Sequence, residues 1–428
     1  MRKAAAMCIV FSAFLLTSAL ADPVRYDGDL SLAQAVARVR DADFDVRLAQ
    51  AEAEGAGAQA ASARALYLPQ LSVSETSLKA DIPQLGMPIA RQTYLSLNAS
   101  LPLLSANQRL SAQAAALAGS ASVLSVDESR NDAVYGVIKI YRRAQLDTAL
   151  VSARTVALQD QQRHLHNTAL RVAGGKTARY VLARDRAAVA SAQQDLQDAL
   201  AQRDETTNDL KAALDYTIDS KVRVADSPNP VPFALTQTQA LARADQSRPA
   251  IVSARLQVAS ARTRLRAARA AYAPAISATG QTYNGSSAPA LGPSGYQVGV
   301  AASLPLIDGG ARSAAVRQAS SEVHRAEAQL DRARLFAERD VANAYSELQT
   351  ASINLRTART ALADAQEQLR IAELREASGK GINLETLDAL AVAANARESV
   401  LAAIIRYSDA VAGVQHATGD LSIKGVNP

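Results

Sequence analysis

Few side chains in this chain are spaced for chemistry. Glu385 and Asp388 stand three residues apart and so share one face of a helix. Gly175-Lys176-Thr177 has the end of a phosphate-binding loop, but that loop needs a glycine five residues before its last one. Leu170 occupies that place, and no strand–loop–helix pattern surrounds it. His164 and His166 are two residues apart, point to different faces of a helix and cannot chelate one metal there. His324 and His416 are isolated. No Ser-His-Asp set or paired-carboxylate arrangement emerges. The sequence therefore predicts no enzyme, no cofactor and no metal site.

The ends place the chain in a compartment. Met1-Arg2-Lys3 is followed by an apolar run from Ala4 to Leu16 and by small residues at Ala19 and Ala21. A basic start, a short apolar core and an A-x-A end predict a secretory signal peptide over residues 1–21. Cys8 lies inside that run and leaves with it. The processed chain, Asp22 to Pro428, then has no thiol for a disulfide, a zinc site or a nucleophile. No later stretch reaches the roughly 18 consecutive apolar residues of a membrane helix. The formal charge of +5 loses two positive charges with Arg2 and Lys3. Both signs are mixed along what remains, so the basic balance does not point to nucleic acid. Tryptophan is absent and alanine abundant, a composition of long, closely packed helices.

The chain is written twice. Ala35–Ser72 aligns with Ala240–Ser277, so that Tyr67-Leu68-Pro69 meets Tyr272-Ala273-Pro274. Ser100-Leu101-Pro102-Leu103 matches Ser303-Leu304-Pro305-Leu306, Tyr141 matches Tyr345, and Gly175-Lys176 matches Gly379-Lys380. The halves run over residues 30–214 and 235–418. The join, 215–234, holds Pro228, Pro230 and Pro232 and reads as an extended linker.

Each half must therefore position its turn on long helices. No proline interrupts Ser105–Arg171, and apolar residues recur there at three- and four-residue steps. At 1.5 Å per residue this predicts a helix of about 100 Å, and Ala311–Ala377 predicts its equal. Leu32–Leu66 and Thr177–Leu214 are a little over half as long. Two short helices stacked end to end match one long one, which gives an antiparallel rod with the Gly-Lys turn at one end.

Four stretches at the other end alternate instead: Gln70–Lys79, Thr93–Leu101, Ala275–Tyr283 and Tyr296–Leu304. Leu95, Leu97, Ala99 and Leu101 oppose Tyr94, Ser96, Asn98 and Ser100; Val298, Val300 and Ala302 oppose Gln297, Gly299 and Ala301. Each run has the roughly 9–11-residue length of a transmembrane β-strand with one lipid face. Pro83, Gly86 and Pro88, and Asn284-Gly285-Ser286, Pro289, Gly292, Pro293 and Gly295, read as turns. Four strands cannot close a barrel, whereas twelve from three chains can. Soluble hairpins capping a helical bundle are the other reading of the same pattern.

Leu304-Pro305-Leu306-Ile307-Asp308-Gly309-Gly310, entering the second long helix, is similar to a signature of the TolC-like outer-membrane factor family. Leu101-Pro102-Leu103-Leu104-Ser105-Ala106-Asn107 is a degenerate copy without the glycine pair. Pro69 and Pro274 resemble the family's proline-marked passage from helix to strand. The resemblance implies a mainly α fold with a small β part. Duplicated antiparallel helical hairpins would form a trimeric α-barrel in the periplasm, and four strands per chain a twelve-stranded outer-membrane β-barrel. It places Gly174, Gly175, Lys176, Gly379 and Lys380 at tips that dock a periplasmic adaptor (membrane fusion) protein linked to an inner-membrane pump. The linker and both termini would form a belt at mid-height. Glu385 and Asp388 would stand, six carboxylates per trimer, in a cation-favouring ring at the periplasmic constriction; a solvated helix face with intrahelical pairs is the other reading of them, and the first half has Val181 and Arg184 at these places. The implied function is passive export of pump-delivered substrates in a tripartite efflux or type I secretion system of a Gram-negative bacterium. A soluble periplasmic coiled-coil adaptor or scaffold is the alternative.

Overall fold

The computed structural model describes residues 24–82, 87–225, 230, 232–286 and 294–421. The expected signal peptide with Cys8, and Pro83, Gly86, Pro228, Pro289, Gly292 and Pro293, lie outside the described residues. In the first half come β1 (Asp27–Leu30), α1 (Leu32–Ala42), α2 (Phe44–Ala65), β2 (Gln70–Ile82), β3 (Met87–Leu104), α3 (Ala106–Ala173) and α4 (Arg179–Ala213). The second half follows with β4 (Lys221–Val224), α5 (Gln237–Ser247), α6 (Pro249–Ala270), β5 (Ala275–Ser286), β6 (Ser294–Ser303), α7 (Ala311–Ala377) and α8 (Asn383–Thr418). The long helices α3 and α7 have 68 and 67 residues, which makes each about 100 Å long. Both α2 and α4 lie along α3, and α6 and α8 along α7. The duplicated antiparallel hairpins are present as read.

Each half starts in the same way. Ser31 caps α1 and Thr236 caps α5, and Gln34 and Gln239 return the hydrogen bond to the cap backbone. The residue before each cap is held by the tyrosine pair that marked the repeat: the Tyr141 hydroxyl donates to the Leu30 carbonyl at 2.7 Å, and Tyr345 to that of Leu235. Leu30, Val36, Val134, Ile138, Tyr141 and Leu210 form the largest apolar cluster, where α1, α3 and α4 meet. Side chains of this size, fully buried, each stabilise by about 1.5–3 kcal/mol. Elsewhere the helices touch largely through alanine, and small side chains let hydroxyls bond across. Ser253 donates to the Ala121 carbonyl at 2.9 Å and Ser260 to that of Ala114 at 2.7 Å.

Three expectations need correction. The expected helix Leu32–Leu66 breaks at Asp43, whose carboxylate accepts the amides of Asp45 and Val46 and starts α2 afresh. The same break recurs at Arg248, before Pro249. The linker is more than free extended chain, since its strand β4 pairs in parallel with β1, Asp27 opposite Lys221 and Leu30 opposite Val224. Lastly, the hairpin strands outrun the expected turns. Pro88 lies in β3, Asn284-Gly285-Ser286 in β5 and Gly295 in β6. Asn284 and Gly285 pair with Leu95 and Tyr94 of a neighbouring strand, which holds them extended. Pro88 sits where the β2–β3 register shifts, the place in a sheet where a missing N–H is tolerated.

Tyr141→Phe should leave the buried Leu30 carbonyl without its donor. Unfolding in denaturant should report a loss of about 1–2 kcal/mol, with Tyr345→Phe costing less because Tyr345 is less deeply buried.

Candidate functional site

The two ends of the molecule are built differently. At one end, α3 passes into α4 and α7 into α8 through the same turn. The amide of Gly175 donates to Val172 at 3.0 Å and that of Lys176 to Arg171 at 2.9 Å. In the second copy Gly379 donates to Glu376 at 3.1 Å and Lys380 to Arg375 at 2.9 Å. Both Gly175 and Gly379 have φ of 72°, the left-handed region that side chains rarely adopt. Gly174 is the last-turn cap with ordinary φ. Lys176 and Lys380 project into solvent. Sequence reasoning missed Gly381: a Cβ there would stand 2.9 Å from the Arg375 Cβ, so the second turn needs two glycines. It also missed the exposed Leu170, Tyr180, Leu374 and Ile382 that flank the tips.

Glu385 lies in the first turn of α8, its carboxylate 3.7 Å from Arg375, and Asp388 is exposed one turn on. Thr386 and Leu387 between them are buried, so the two carboxylates share the outer side of the helix start.

At the other end, β2, β3, β5 and β6 form one antiparallel sheet in that order, with the outer flanks of β2 and β6 unpaired. Its register sorts the side chains. Val73 pairs with Leu97, Leu97 with Thr282, and Thr282 with Tyr296. Leu71, Val73, Leu95, Leu97, Val298 and Val300 thus share one face. That face is bare: Val73 is 66% exposed, Tyr296 82% and Val298 78%. The opposite face is polar and internally bonded. Ser96, 3% exposed, lies 2.7 Å from Ser74, and Asn98 donates to both hydroxyls at 3.3 Å. A water-soluble sheet packs its apolar face against a core; among the described residues no layer covers this one.

Proline and glycine manage the junctions. Pro69 and Pro274 stand immediately before β2 and β5, and Pro305 just after β6. Pro102, expected at a junction, lies inside β3 opposite Ser277. It fits because β2 begins at Gln70, opposite Ser100, leaving β3 a neighbour on one flank only at that level. Gly309 and Gly310, at φ of 64° and 89°, turn the chain into α7. Asp308 holds the turn through the amides of Gly310 and Arg312, at 3.1 and 3.0 Å, and through the Arg312 guanidinium at 2.6 Å. The Arg312 side-chain bond, seconded by that backbone amide, keeps the Asp308 carboxyl below its usual value. The first copy lacks the glycine pair and passes from β3 into α3 through Ser105 alone. Its Arg109 still reaches the Leu103 carbonyl, as Arg312 reaches that of Leu306; sequence reasoning overlooked both arginines.

Known proteins share this duplicated architecture. The family model described as outer membrane efflux protein matches residues 35–215 and again 240–420. Among solved structures, one described as CusC, with conformational changes on folding and transmembrane channel formation, is 20% identical; the match covers 92% of this chain and 93% of that one, with a TM-score of 0.78. The outer membrane protein VceC of Vibrio cholerae is 19% identical over 91% of this chain and 96% of its own, at 0.78. The open-state MtrE outer membrane channel of Neisseria gonorrhoeae is 22% identical over 91% and 88%, at 0.77. A search of curated proteins finds no significant relative.

Gly379→Val should strain the second turn by about 1–3 kcal/mol. Trypsin should then cut at Lys380 faster than in the wild type, with the global unfolding midpoint nearly unchanged.

Proposed function

The chain belongs to the outer membrane efflux protein family, a non-enzymatic outer-membrane duct with a long periplasmic helical part, and from that premise we propose how its two ends work. Three copies join the free flank of β6 in one to that of β2 in the next, giving a twelve-stranded barrel with Leu97, Val298 and Val300 against lipid and Ser74, Ser96 and Asn98 toward the lumen. Closure satisfies every strand backbone, which lipid demands. The processed chain begins after residue 21, and the linker strand β4 with β1 belts the trimer at mid-height. The helical hairpins cross the periplasm to a constriction near their tips.

The turns at Gly174, Gly175 and Lys176, and at Gly379 and Lys380, meet a periplasmic adaptor joined to an inner-membrane pump, which supplies the energy. The exposed Leu170, Tyr180, Leu374 and Ile382 give such a partner apolar surface beside the lysines. Glu385 and Asp388 ring the entrance and favour cations. The observation that carries this reading is the uncovered apolar face of the sheet; a soluble periplasmic adaptor or scaffold has no use for it.

Two measurements test the proposal. The protein should leave outer membranes only with detergent, as a heat-resistant trimer that conducts in planar bilayers; a monomer that stays in solution without detergent contradicts the reading. In those bilayers Glu385→Ala/Asp388→Ala should lower the preference for cations over anions several-fold, by about 1 kcal/mol of lost attraction. Selectivity unchanged from wild type removes the acidic ring and leaves the duct.

A further inference from the structure

Along α6, four arginines fall on one face: Arg255, Arg262, Arg266 and Arg269, at steps of seven, four and three. The first half puts Gln50, Gly57, Ala61 and Arg64 at these places on α2. Since α2 packs along its long helix as α6 does, packing does not call for the extra cations. Contact between copies does not call for them either. Within the protomer α6 has α3 on one flank, through Ser253 and Ser260, and α7 on the other, through Val258 and Ala261. The arginine face lies between those two contacts. Its partners change along its length. Arg255 pairs with Asp245 of α5 at 2.9 Å, and Arg262 with Glu327 of α7 at 2.7 Å. Arg266 reaches the Thr263 hydroxyl at 2.9 Å. Among the described residues no carboxylate pairs with Arg266, Arg269 or Arg64, and all three are exposed. The unpaired cations are those nearest the sheet. Arg269 and Arg64 stand in the last turns of α6 and α2, and Arg266 one turn before Arg269. Arg262 and Arg255 lie about 12 and 22 Å below the end of α6.

We infer that Arg64, Arg266 and Arg269 form a collar that binds the phosphates of phospholipids in the periplasmic leaflet, with a preference for anionic headgroups. The inference rests on reading the sheet as a wall of the outer-membrane barrel. In that reading the linker belts the shaft from outside, and α5 follows directly on the linker. Arg255 touches α5 through Asp245, so the stripe starts beside the belt and climbs the outer surface of the shaft. The headgroup layer extends about 5–8 Å beyond the hydrocarbon on each side. The last turns of α6 and α2 lie just below β5 and β2, at that level, whereas Arg255 and Arg262 lie too deep and already have carboxylate partners. Tyr272, 49% exposed, stands between Arg269 and the strand, and Tyr67 between Arg64 and its strand. Tyrosine favours such a boundary, with its ring toward the apolar layer and its hydroxyl toward water. A guanidinium forks onto two phosphate oxygens and is never neutral in the pH range of a cell. A last-turn arginine also suits the helix dipole, but the dipole does not call for Arg266, a full turn earlier. Three copies give nine such guanidinium groups around the base of the barrel.

The test uses the whole protein in phosphatidylcholine vesicles holding a trace of spin-labelled phosphatidylglycerol or of spin-labelled phosphatidylcholine. The fraction of each label immobilised at the protein gives their relative affinity. The wild type should prefer phosphatidylglycerol at least about threefold. Arg64→Gln/Arg266→Gln/Arg269→Gln should cut that preference to about a third or less. Arg255→Gln/Arg262→Gln, which removes two charges of the same stripe below the membrane, should leave it unchanged. Salt at about 1 M should lower the wild-type preference without any substitution, since it screens the guanidinium charges. Equal affinity for the two lipids in a wild-type trimer that conducts overturns the collar and leaves the duct. A preference that survives the triple substitution also overturns the collar. Binding to purified cell-wall fragments that is lost in Arg255→Gln/Arg262→Gln, without any lipid preference, assigns the stripe to an acidic polymer and overturns it too. Failure of the wild type to enter vesicles at all overturns the duct reading and the collar with it.

Discussion

Backbone hydrogen bonding in lipid is the constraint on which the rest of this structure depends. Hydrocarbon offers no partner to an unpaired N–H or C=O, so a sheet survives there only when closed. The four-stranded sheet of one protomer pairs every strand with its neighbours but leaves the flanks of β2 and β6 bare. Its apolar face also lacks a covering layer among the described residues, with Val73 and Val298 exposed. One chain cannot satisfy both demands. Copies joined edge to edge satisfy the two together, and the family to which the chain belongs works as an outer-membrane channel. The sheet thus calls for edge-to-edge closure, and the trimer we propose supplies it.

The helical part answers a different problem. Helices of 68 and 67 residues are far too long to be held by one core. The chain uses alanine and serine contacts along their length and concentrates larger apolar residues at mid-height, around Leu30, Ile138, Tyr141 and Leu210. The duplicated tyrosine bonds, Tyr141 to Leu30 and Tyr345 to Leu235, pin the start of each half to the middle of its long helix. At the tips the chain reverses on glycine, with φ of 72° at both Gly175 and Gly379. The flanking helices continue at full regularity up to those turns, so the tips are defined in shape rather than loose.

Much of this was legible because proline and glycine punctuate both copies. The bounds Ala311–Ala377 of the second long helix match the reading, since a left-handed Gly310 starts it and the Gly379 turn ends it. The break at Asp43 was hidden because an aspartate does there what Pro249 announces in the other half. The β1–β4 pairing was hidden because each strand has four residues and the partner lies far along the chain. Strand ends were misjudged at Pro88 and Asn284–Ser286, where pairing across the sheet overrode turn-forming residues. At the tips the glycines were legible, whereas the apolar collar of Leu170, Tyr180, Leu374 and Ile382 was not, since each sits alone in a polar context. The buried contacts of His164, on α3 behind the tips, were out of reach for another reason. The spacing of His164 and His166 excludes a shared metal, but its true neighbours, Asp185, Glu376 and Asn383, come from three other helices.

The duct depends on which side of the sheet meets lipid. The processed chain is expected to be free of cysteine, so single cysteines carrying nitroxide labels can be placed along β3 and β6. In outer-membrane vesicles, labels at Leu97, Val298 and Val300 should be relaxed by oxygen dissolved in the bilayer. Labels at Asn98 and Gln297 should be relaxed by a water-soluble reagent instead, with the preference alternating residue by residue. Equal access of the water-soluble reagent to both faces, or an alternation of the opposite sense, would contradict it.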